Sequence, residues 1–224
     1  FALNIAQNVA LKANVPVAIF SLEMSKEQLV QRLLCSEAEV DTQRLKTGNM
    51  QAKDWEKLAV AMDAFSQAPI YIDDTAGCTI TDLRAKCRRL AMAEKNLGLI
   101  VIDYLQLIEG TGREDRMQQI SSISRGLKIL AKELNVPIIS LSQLSRATEQ
   151  RKDDNKPKLS DLRESGAIEQ DADIVMFLYR DVTSEEETNI VKLNIAKHRG
   201  GSLGTIDLVW KGEYTKFFSQ DTKH

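Results

Sequence analysis

The sequence predicts an α/β fold with a largely parallel sheet covered by helices on both faces, and with antiparallel strands at its C-terminal end. In the first half, amphipathic helical patterns alternate with short runs such as "VAIFS" and "LIVID", which are apolar up to their last residue. This alternation is typical of parallel strands that are buried on both faces. After the helix that ends near Leu134 the pattern changes to strands, with "PIISLSQ", "DIVMFLYR", "NIVKLNIAKHR" and "TIDLVW", the last continuing through "KGEY" as a hairpin.

The helices are predicted from capping residues and apolar spacing. The first, "FALNIAQNVALK", ends before Asn14 and Pro16, and Ser25 with Gln28 has the spacing of a capping box at the start of the second. A short strand, "APIYIDD", separates two further helices, which are marked by apolar residues at Trp55, Leu58, Met62 and Phe65, and at Ile80, Leu83, Cys87 and Leu90. The clearest helix has steps of three and four between Met117, Ile120, Ile123, Leu127, Leu130 and Leu134.

Composition limits the classes of function. At 224 residues the chain can form one domain with a substantial core. Its 30 Lys+Arg against 32 Asp+Glu leave a net charge of −2, so contact with nucleic acid must come from local basic loops. Three cysteines without C-x-x-C spacing and two isolated histidines argue against a zinc site and for a reducing compartment. With no signal peptide and no apolar run of about 20 residues, we expect a soluble, cytoplasmic protein.

Three strands are predicted to end near polar residues. Glu23 follows "VAIFSL", Asp103 ends "LIVID", and Gln143 ends "PIISLSQ". In parallel sheets ligands bind beyond the carboxyl ends of the strands, so these residues predict a site. Asp103 has the form of a Walker B carboxylate that holds Mg²⁺ beside nucleotide phosphates, and Glu23 is suited to polarise an attacking water. Gln143 is suited to sense a γ-phosphate by hydrogen bonding.

Each of these residues also has a purely structural interpretation. An Asp at the end of a strand often caps the following turn, and a Glu before a helix is favoured by the helix dipole. A polar residue after a strand, such as Gln143, is commonplace. Taken one by one, the three residues therefore leave both interpretations open.

Five motifs in order carry a resemblance to a known family: "IFSLEMS", "LIVIDYLQLI", "IISLSQLSR", "DLRESGAIEQDADIVMFLYR" and "KHRGGSLGTIDL". From Phe1 to about Phe218 the chain resembles the C-terminal motor domain of the DnaB family, the bacterial replicative DNA helicases. The resemblance implies one motor domain over residues 1–224 with a RecA-like P-loop NTPase fold. It further implies ATP and Mg²⁺ as cofactors, a homo-hexameric ring around single-stranded DNA, and a primase and a helicase loader as partners.

The same resemblance implies roles for individual residues. Glu23 matches the catalytic glutamate, Asp103 the Walker B aspartate that holds Mg²⁺ through water, and Gln143 the residue that couples the γ-phosphate to the DNA loops. Lys197 and Arg199 match residues that reach across a subunit boundary to the neighbour's γ-phosphate. Without the other motifs, these two cations would be interpreted as a basic strand end on a solvated surface.

The DNA contacts are implied in the same way. The loop "RESG" resembles a central-channel loop that grips the sugar-phosphate backbone, with Arg163, Glu164, Ser165 and Gly166 as its residues. It can equally be the first turn of a helix capped by Ser160. The segment "GTGREDRM" is expected to form a second channel loop through Arg113 and Arg116, and Tyr179 with Arg180 to flank the adenine. Residues 146–160 form a polar segment without periodicity, which predicts a mobile loop.

One feature of the family's pattern is missing. A nucleotide motor needs the P-loop G-x-x-x-x-G-K-[ST], yet the first glycine of this sequence is Gly48. In the family the P-loop lies immediately before the helix that begins here with "FALNIA". We therefore expect the sequence to begin just after the P-loop, without the first strand and the N-terminal collar domain, and we expect this stretch alone not to bind ATP productively.

Two other functions remain open at this stage. A recombinase or regulatory ATPase would share the RecA-like fold, although "RESGAIEQDAD" argues against it. A catalytically inactive docking module would lack the P-loop natively. The residues upstream of Phe1 would decide between an active and an inactive domain.

Overall fold

The computed structural model describes residues 1–110, 115–144, 156–162, 166–180 and 189–220. The helices in these ranges are α1 (Ala2–Lys12), α2 (Lys26–Ala38), α3 (Thr42–Thr47), α4 (Ala52–Ser66), α5 (Ile80–Ala93), α6 (Arg116–Leu134) and α7 (Gly166–Asp171). The strands are β1 (Val17–Ser21), β2 (Ile70–Asp73), β3 (Leu99–Asp103), β4 (Ile138–Ser140), β5 (Ile174–Tyr179), β6 (Ile190–His198), β7 (Gly204–Lys211) and β8 (Lys216–Ser219). The α/β fold class is as predicted.

The first four strands form a parallel sheet in the order β2-β1-β3-β4. Its two faces carry different apolar clusters because successive strand residues point to opposite sides. On one face Val17, Ile19 and Val101 pack with the alanines of α1, and on the other Phe20 and Ile102 pack with α5 and α6. Burial on both faces explains why β1 is apolar from Val17 to Phe20 and buried along its whole length.

The last four strands form a second, antiparallel sheet in the order β5-β6-β7-β8. The antiparallel strands predicted for this part of the chain are confirmed. Among the described residues they form a sheet of their own. The sequence pattern predicts that a strand exists and which of its faces is apolar. It does not predict which other strand it pairs with.

Most predicted helix boundaries are confirmed. Ser25 and Gln28 form the expected capping box, in which Ser25 Oγ accepts from the Gln28 N–H at 3.4 Å and Gln28 Oε1 accepts from the Ser25 N–H at 3.2 Å. The stripe predicted for α4 is only partly right, because Trp55 and Met62 are each 58% exposed. The helix packs on the end of α2 through Leu58 and Ala61, and this interface is too narrow to cover the whole stripe.

Ser160 does not cap the helix that follows "RESG". It lies within a one-turn 3-10 helix, Leu159–Leu162, and the described part of α7 spans Gly166–Asp171. Residues 146–155 of the predicted loop lie outside the described residues.

In the part of the chain that the structure describes, no helix combines the length and hydropathy needed to cross a bilayer.

Candidate functional site

Glu23, Asp103 and Gln143 lie at the same edge of the parallel sheet, where β1, β3 and β4 end. Ser21 pairs with Asp103 in the β1–β3 register, and the next N–H, of Leu22, donates to the Asp103 carbonyl at 2.8 Å. On the other side of β3, the N–H of Leu141 donates to the Ile102 carbonyl at 2.9 Å. Because β3 is the central of the three strands, the polar residues that follow β1 and β4 lie on either side of Asp103.

The loop that carries Glu23 is held at both ends. Ser21 Oγ donates to the Met24 carbonyl at 2.7 Å, which closes the loop on itself. The N–H of Lys26, the first residue of α2, donates to Asp74 Oδ2 at 2.9 Å, and Asp74 follows directly after β2. Glu23 itself is exposed. Sequence reasoning gave Ser21 and Asp74 no role, although "YIDD" does end a strand with two acids.

Asp103 is half-buried beside a second carboxylate. Burial raises the pKa of the Asp103 carboxyl, and the nearby negative charge of Glu23 raises it further, while Arg32 of α2 acts in the opposite direction. The first residues of α1 also lie close to this carboxyl. Backbone N–H groups in the first turn of a helix favour phosphate groups, so this edge combines two carboxylates with a place where phosphates can bind.

The donor set at this edge fits a hard cation only in part. Asp103 and Glu23 offer the carboxylate oxygens that Mg²⁺ prefers. A divalent cation would offset both the burial and the repulsion from Glu23 that raise the pKa of Asp103. However, the described residues contain no group of three or more His, Cys, Asp or Glu side chains arranged to hold a metal. Mg²⁺ usually binds through one or two carboxylates together with substrate phosphates, and this donor set fits that mode.

The raised pKa of Asp103 leads to a prediction about stability. A carboxyl whose pKa is higher in the folded than in the unfolded protein destabilises the fold when it ionises, so stability falls as the pH rises through the interval above about 3.9. We expect Asp103→Asn to raise the thermal midpoint at pH 7 by roughly 2 °C, measured without nucleotide or Mg²⁺. The gain should shrink as the pH is lowered toward about 4.

Asp82 provides a control of opposite sign for this prediction. Hydrogen bonds from Thr79 lower the pKa of the Asp82 carboxyl, which belongs to the capping box of α5. Asp82→Asn should therefore lower the thermal midpoint at pH 7. Two results would contradict the idea that ionised Asp103 destabilises the fold. One is a lower thermal midpoint for Asp103→Asn than for wild type at pH 7, and the other is a difference in midpoint that grows as the pH is lowered.

Gln143 is held by its backbone and leaves its side chain exposed. The Gln106 side chain bonds to both backbone groups of Gln143, accepting from its N–H at 3.3 Å and donating to its carbonyl at 3.2 Å. Gln106 lies in the 3-10 turn Leu105–Leu107 directly after β3. The motif "LIVIDYLQLI" contains Gln106 but does not predict a function for it, since nothing local distinguishes it from any other polar residue in a turn.

Lys197 and Arg199 lie at the end of β6 and both contact α7 of their own chain. The Lys197 ammonium donates to the Glu169 carbonyl and, at 3.4 Å, to the Gln170 carbonyl. Arg199 Nη2 donates to the Gln170 carbonyl at 2.5 Å, while Nη1 lies 3.4 Å from Asp173 Oδ1. The Arg199 side chain remains 53% exposed. The two cations therefore cap the carbonyl groups at the carboxyl end of α7, and the Arg199 side chain is still partly accessible to solvent.

Tyr179 and Arg180 line a cavity of about 290 Å³ together with Leu178, Val191, Trp210 and Phe217. The rings of Trp210 and Phe217 lie 4.5 Å apart, and Phe217 packs edge-on against Phe1 at 5.7 Å. The cavity thus adjoins the start of α1. The sequence predicts Tyr179 and Arg180 for this place but not the two aromatic residues, which come from the distant β7–β8 hairpin.

Of the predicted DNA contacts, only two lie within the described residues. Gly166 begins α7, and Arg116 begins α6, where its guanidinium donates to the Gln106 carbonyl and, at 3.2 Å, to Gln119 Oε1. Arg113, Arg163, Glu164 and Ser165 lie outside the described residues.

Residues 1–219 match the family model of the DnaB-like helicase C terminal domain. The chain belongs to this family. This DnaB-like domain is 57% identical over 228 aligned residues to the replicative DNA helicase DnaB of Geobacillus stearothermophilus, with the whole chain and 50% of that protein covered. It is 56% identical to the replicative DNA helicase DnaC of Bacillus subtilis, again over 50% of that protein. The DnaB-like domain thus spans about half the length of the curated relatives it matches.

A solved structure supports the same assignment of fold. The DnaB-like domain superposes with a TM-score of 0.93 and 41% identity on a DnaB-like replicative helicase whose interactions with primase were studied. The superposition covers 98% of this chain and 55% of that one. The expected RecA-like core is therefore confirmed.

Proposed function

We propose that this chain is the motor domain of an ATP-driven replicative DNA helicase, which hydrolyses ATP to move along single-stranded DNA. The observation that carries the proposal is the alignment of Glu23, Asp103 and Gln143 at the carboxyl ends of β1, β3 and β4, beside the amino-terminal end of α1. This edge offers a place for phosphates, a carboxylate for a hydrated cation and a second carboxylate for an attacking water.

Each residue has one task in this proposal. Glu23, exposed on its anchored loop, orients and deprotonates the attacking water. Asp103 would hold Mg²⁺ through water, and the cation would neutralise charge on the β and γ phosphates. Gln143 hydrogen-bonds the γ-phosphate. Tyr179 and Arg180 would flank the adenine in the cavity that adjoins α1, where the rings of Trp210 and Phe217 provide an apolar surface for a planar base.

The remaining residues link subunits and DNA. Lys197 and Arg199 would act on the γ-phosphate bound by a neighbouring copy in a homo-hexameric ring, since a cation supplied in trans stabilises transition-state charge only in the assembled ring. Arg163, Glu164, Ser165 and Gly166, with Arg113 and Arg116, would hold the phosphates of single-stranded DNA in the central channel. A primase and a helicase loader are proposed partners, and the cytoplasm is the proposed location.

The test is ATP hydrolysis by the full-length protein with and without oligo(dT). We expect hydrolysis that single-stranded DNA stimulates severalfold, together with unwinding of a forked duplex. The stimulation should fall with rising salt, because backbone contacts release counterions. If the full-length protein neither binds nor hydrolyses ATP, the domain is a docking module and the proposal is wrong.

A further inference from the structure

We propose that Gln106 is a positioning residue that fixes Gln143 and connects it to Arg116, so that contact of Gln143 with a γ-phosphate is transmitted to the start of α6. The inference deepens the proposed function and rests on it. It concerns how nucleotide and DNA affect one another, and it assigns to Gln106 no contact with either.

The first half of the connection is the amide of Gln106. Its Nε2 donates to Ser142 Oγ at 2.9 Å and to the Gln143 carbonyl at 3.2 Å, and its Oε1 accepts from the Gln143 N–H at 3.3 Å. The backbone groups of Gln143 fix the orientation of the amide, because an N–H can only donate and a carbonyl can only accept. The side chain of Gln106 therefore takes the place that a neighbouring strand would have beside Gln143.

The second half is the backbone of the same residue. The Gln106 carbonyl accepts a hydrogen bond from the Arg116 guanidinium, and Arg116 is the first residue of α6. One residue thus bonds both to the predicted γ-phosphate sensor and to a predicted DNA contact. The two bonds leave Gln106 in different directions, one from its side chain and one from its main chain.

The turn that contains Gln106 is itself fixed to the end of β4 and to the core. Leu105 is only 3% exposed, and its N–H donates to the Leu141 carbonyl at 2.9 Å. A displacement of Gln143 must therefore either carry Gln106 with it or break the bonds between them. Hydrogen bonds between such neighbours transmit displacement only while they are intact, so removing the amide should uncouple the two ends.

A purely structural role for Gln106 makes a different prediction. A residue that only joins two loops would, when truncated, lower the thermal midpoint and reduce all rates by a similar factor. A positioning residue between Gln143 and Arg116 should instead reduce the DNA-stimulated rate selectively. The two roles are therefore distinguished by a ratio of rates and not by the loss of activity itself.

The experiment compares Gln106→Ala, Gln106→Glu, Gln143→Ala and the Gln106→Ala/Gln143→Ala double variant in the full-length protein. Gln43→Ala, an exposed glutamine on α3, is the matched control. ATP hydrolysis is measured with and without oligo(dT), together with ATP affinity and the thermal midpoint. We expect Gln106→Ala to reduce DNA stimulation about tenfold, with ATP affinity and the unstimulated rate little changed. Gln106→Glu keeps the acceptor and loses both donors, so its stimulation should be intermediate.

The double variant gives the decisive comparison. Residues that act through one connection are non-additive, so the double variant should be no worse than Gln143→Ala alone. Multiplicative losses, equal losses in both rates, or unchanged stimulation in Gln106→Ala would each overturn the inference while the helicase function stands. If the wild-type protein hydrolyses ATP without any response to DNA, the proposed function fails, and the inference about Gln106 fails with it.

Discussion

Glu23→Gln is expected to reduce ATP turnover by the full-length protein at least about a hundredfold while leaving ATP binding intact. A general base typically contributes a factor of about 10² to 10⁴, and glutamine matches glutamate in size but cannot accept the proton of the attacking water. The loop that carries Glu23 is anchored through Ser21 and Asp74, so the exchange should not disturb its conformation. Single-turnover hydrolysis and equilibrium binding of a fluorescent ATP analogue measure the two quantities separately.

Glu27→Gln is the matched control for this experiment. Glu27 lies in the first turn of α2, four residues further on, and its substitution removes the same charge. The loss near the helix N-terminus should cost only about 0.3–1 kcal/mol of stability, with turnover close to wild type. If Glu23→Gln retains most of the wild-type turnover, or if Glu27→Gln loses as much turnover as Glu23→Gln, Glu23 is not the base. Its charge then only stabilises the N-terminus of α2.

Arg199→Ala is expected to reduce DNA-stimulated hydrolysis about a thousandfold, because an arginine supplied in trans typically contributes a factor of about 10³ to 10⁵. Its effect should be rescued by mixing. In a mixed ring, the Glu23 of an Arg199→Ala subunit can face the Arg199 of a Glu23→Gln subunit, and that interface contains both intact groups. Mixing the two nearly inactive variants should therefore restore part of the hydrolysis, with a maximum near equal proportions.

Arg88→Ala is the control for the loss of a surface arginine. Arg88 forms a salt bridge with Glu133 on the α5–α6 surface, with Arg88 Nε and Glu133 Oε1 2.6 Å apart, and it has no proposed contact with nucleotide. Its substitution should leave hydrolysis close to wild type. No recovery on mixing, with both variants shown to assemble together, would mean that Arg199 acts within its own subunit through the contacts to α7.

The parallel sheet and its polar edge could be predicted because their signals are local. A fully apolar run predicts a strand that is covered on both faces, and a polar residue after it marks the carboxyl end of that strand, where ligands bind in a parallel sheet. Glu23, Asp103 and Gln143 were found in this way, and the order of the strands then brought them together.

The supporting residues could not be predicted, because their partners are remote in the sequence. Asp74 bonds to Lys26 across 48 positions, and Gln106 bonds to Ser142 across 36. No periodicity or capping rule links such pairs. The same limit explains Trp55 and Met62 of α4: their spacing is helical, but how much of a helix becomes buried depends on the size of the surface it meets.

The carboxyl end of α7 is held by hydrogen bonds from two sides, from α6 and from the end of β6. Ser124 of α6 donates to Asp171 at 2.8 Å, while Lys197 and Arg199 hold the last carbonyls from the tip of β6. Since α6 packs on the parallel sheet and β6 belongs to the antiparallel sheet, these hydrogen bonds make α7 a connection between the two sheets.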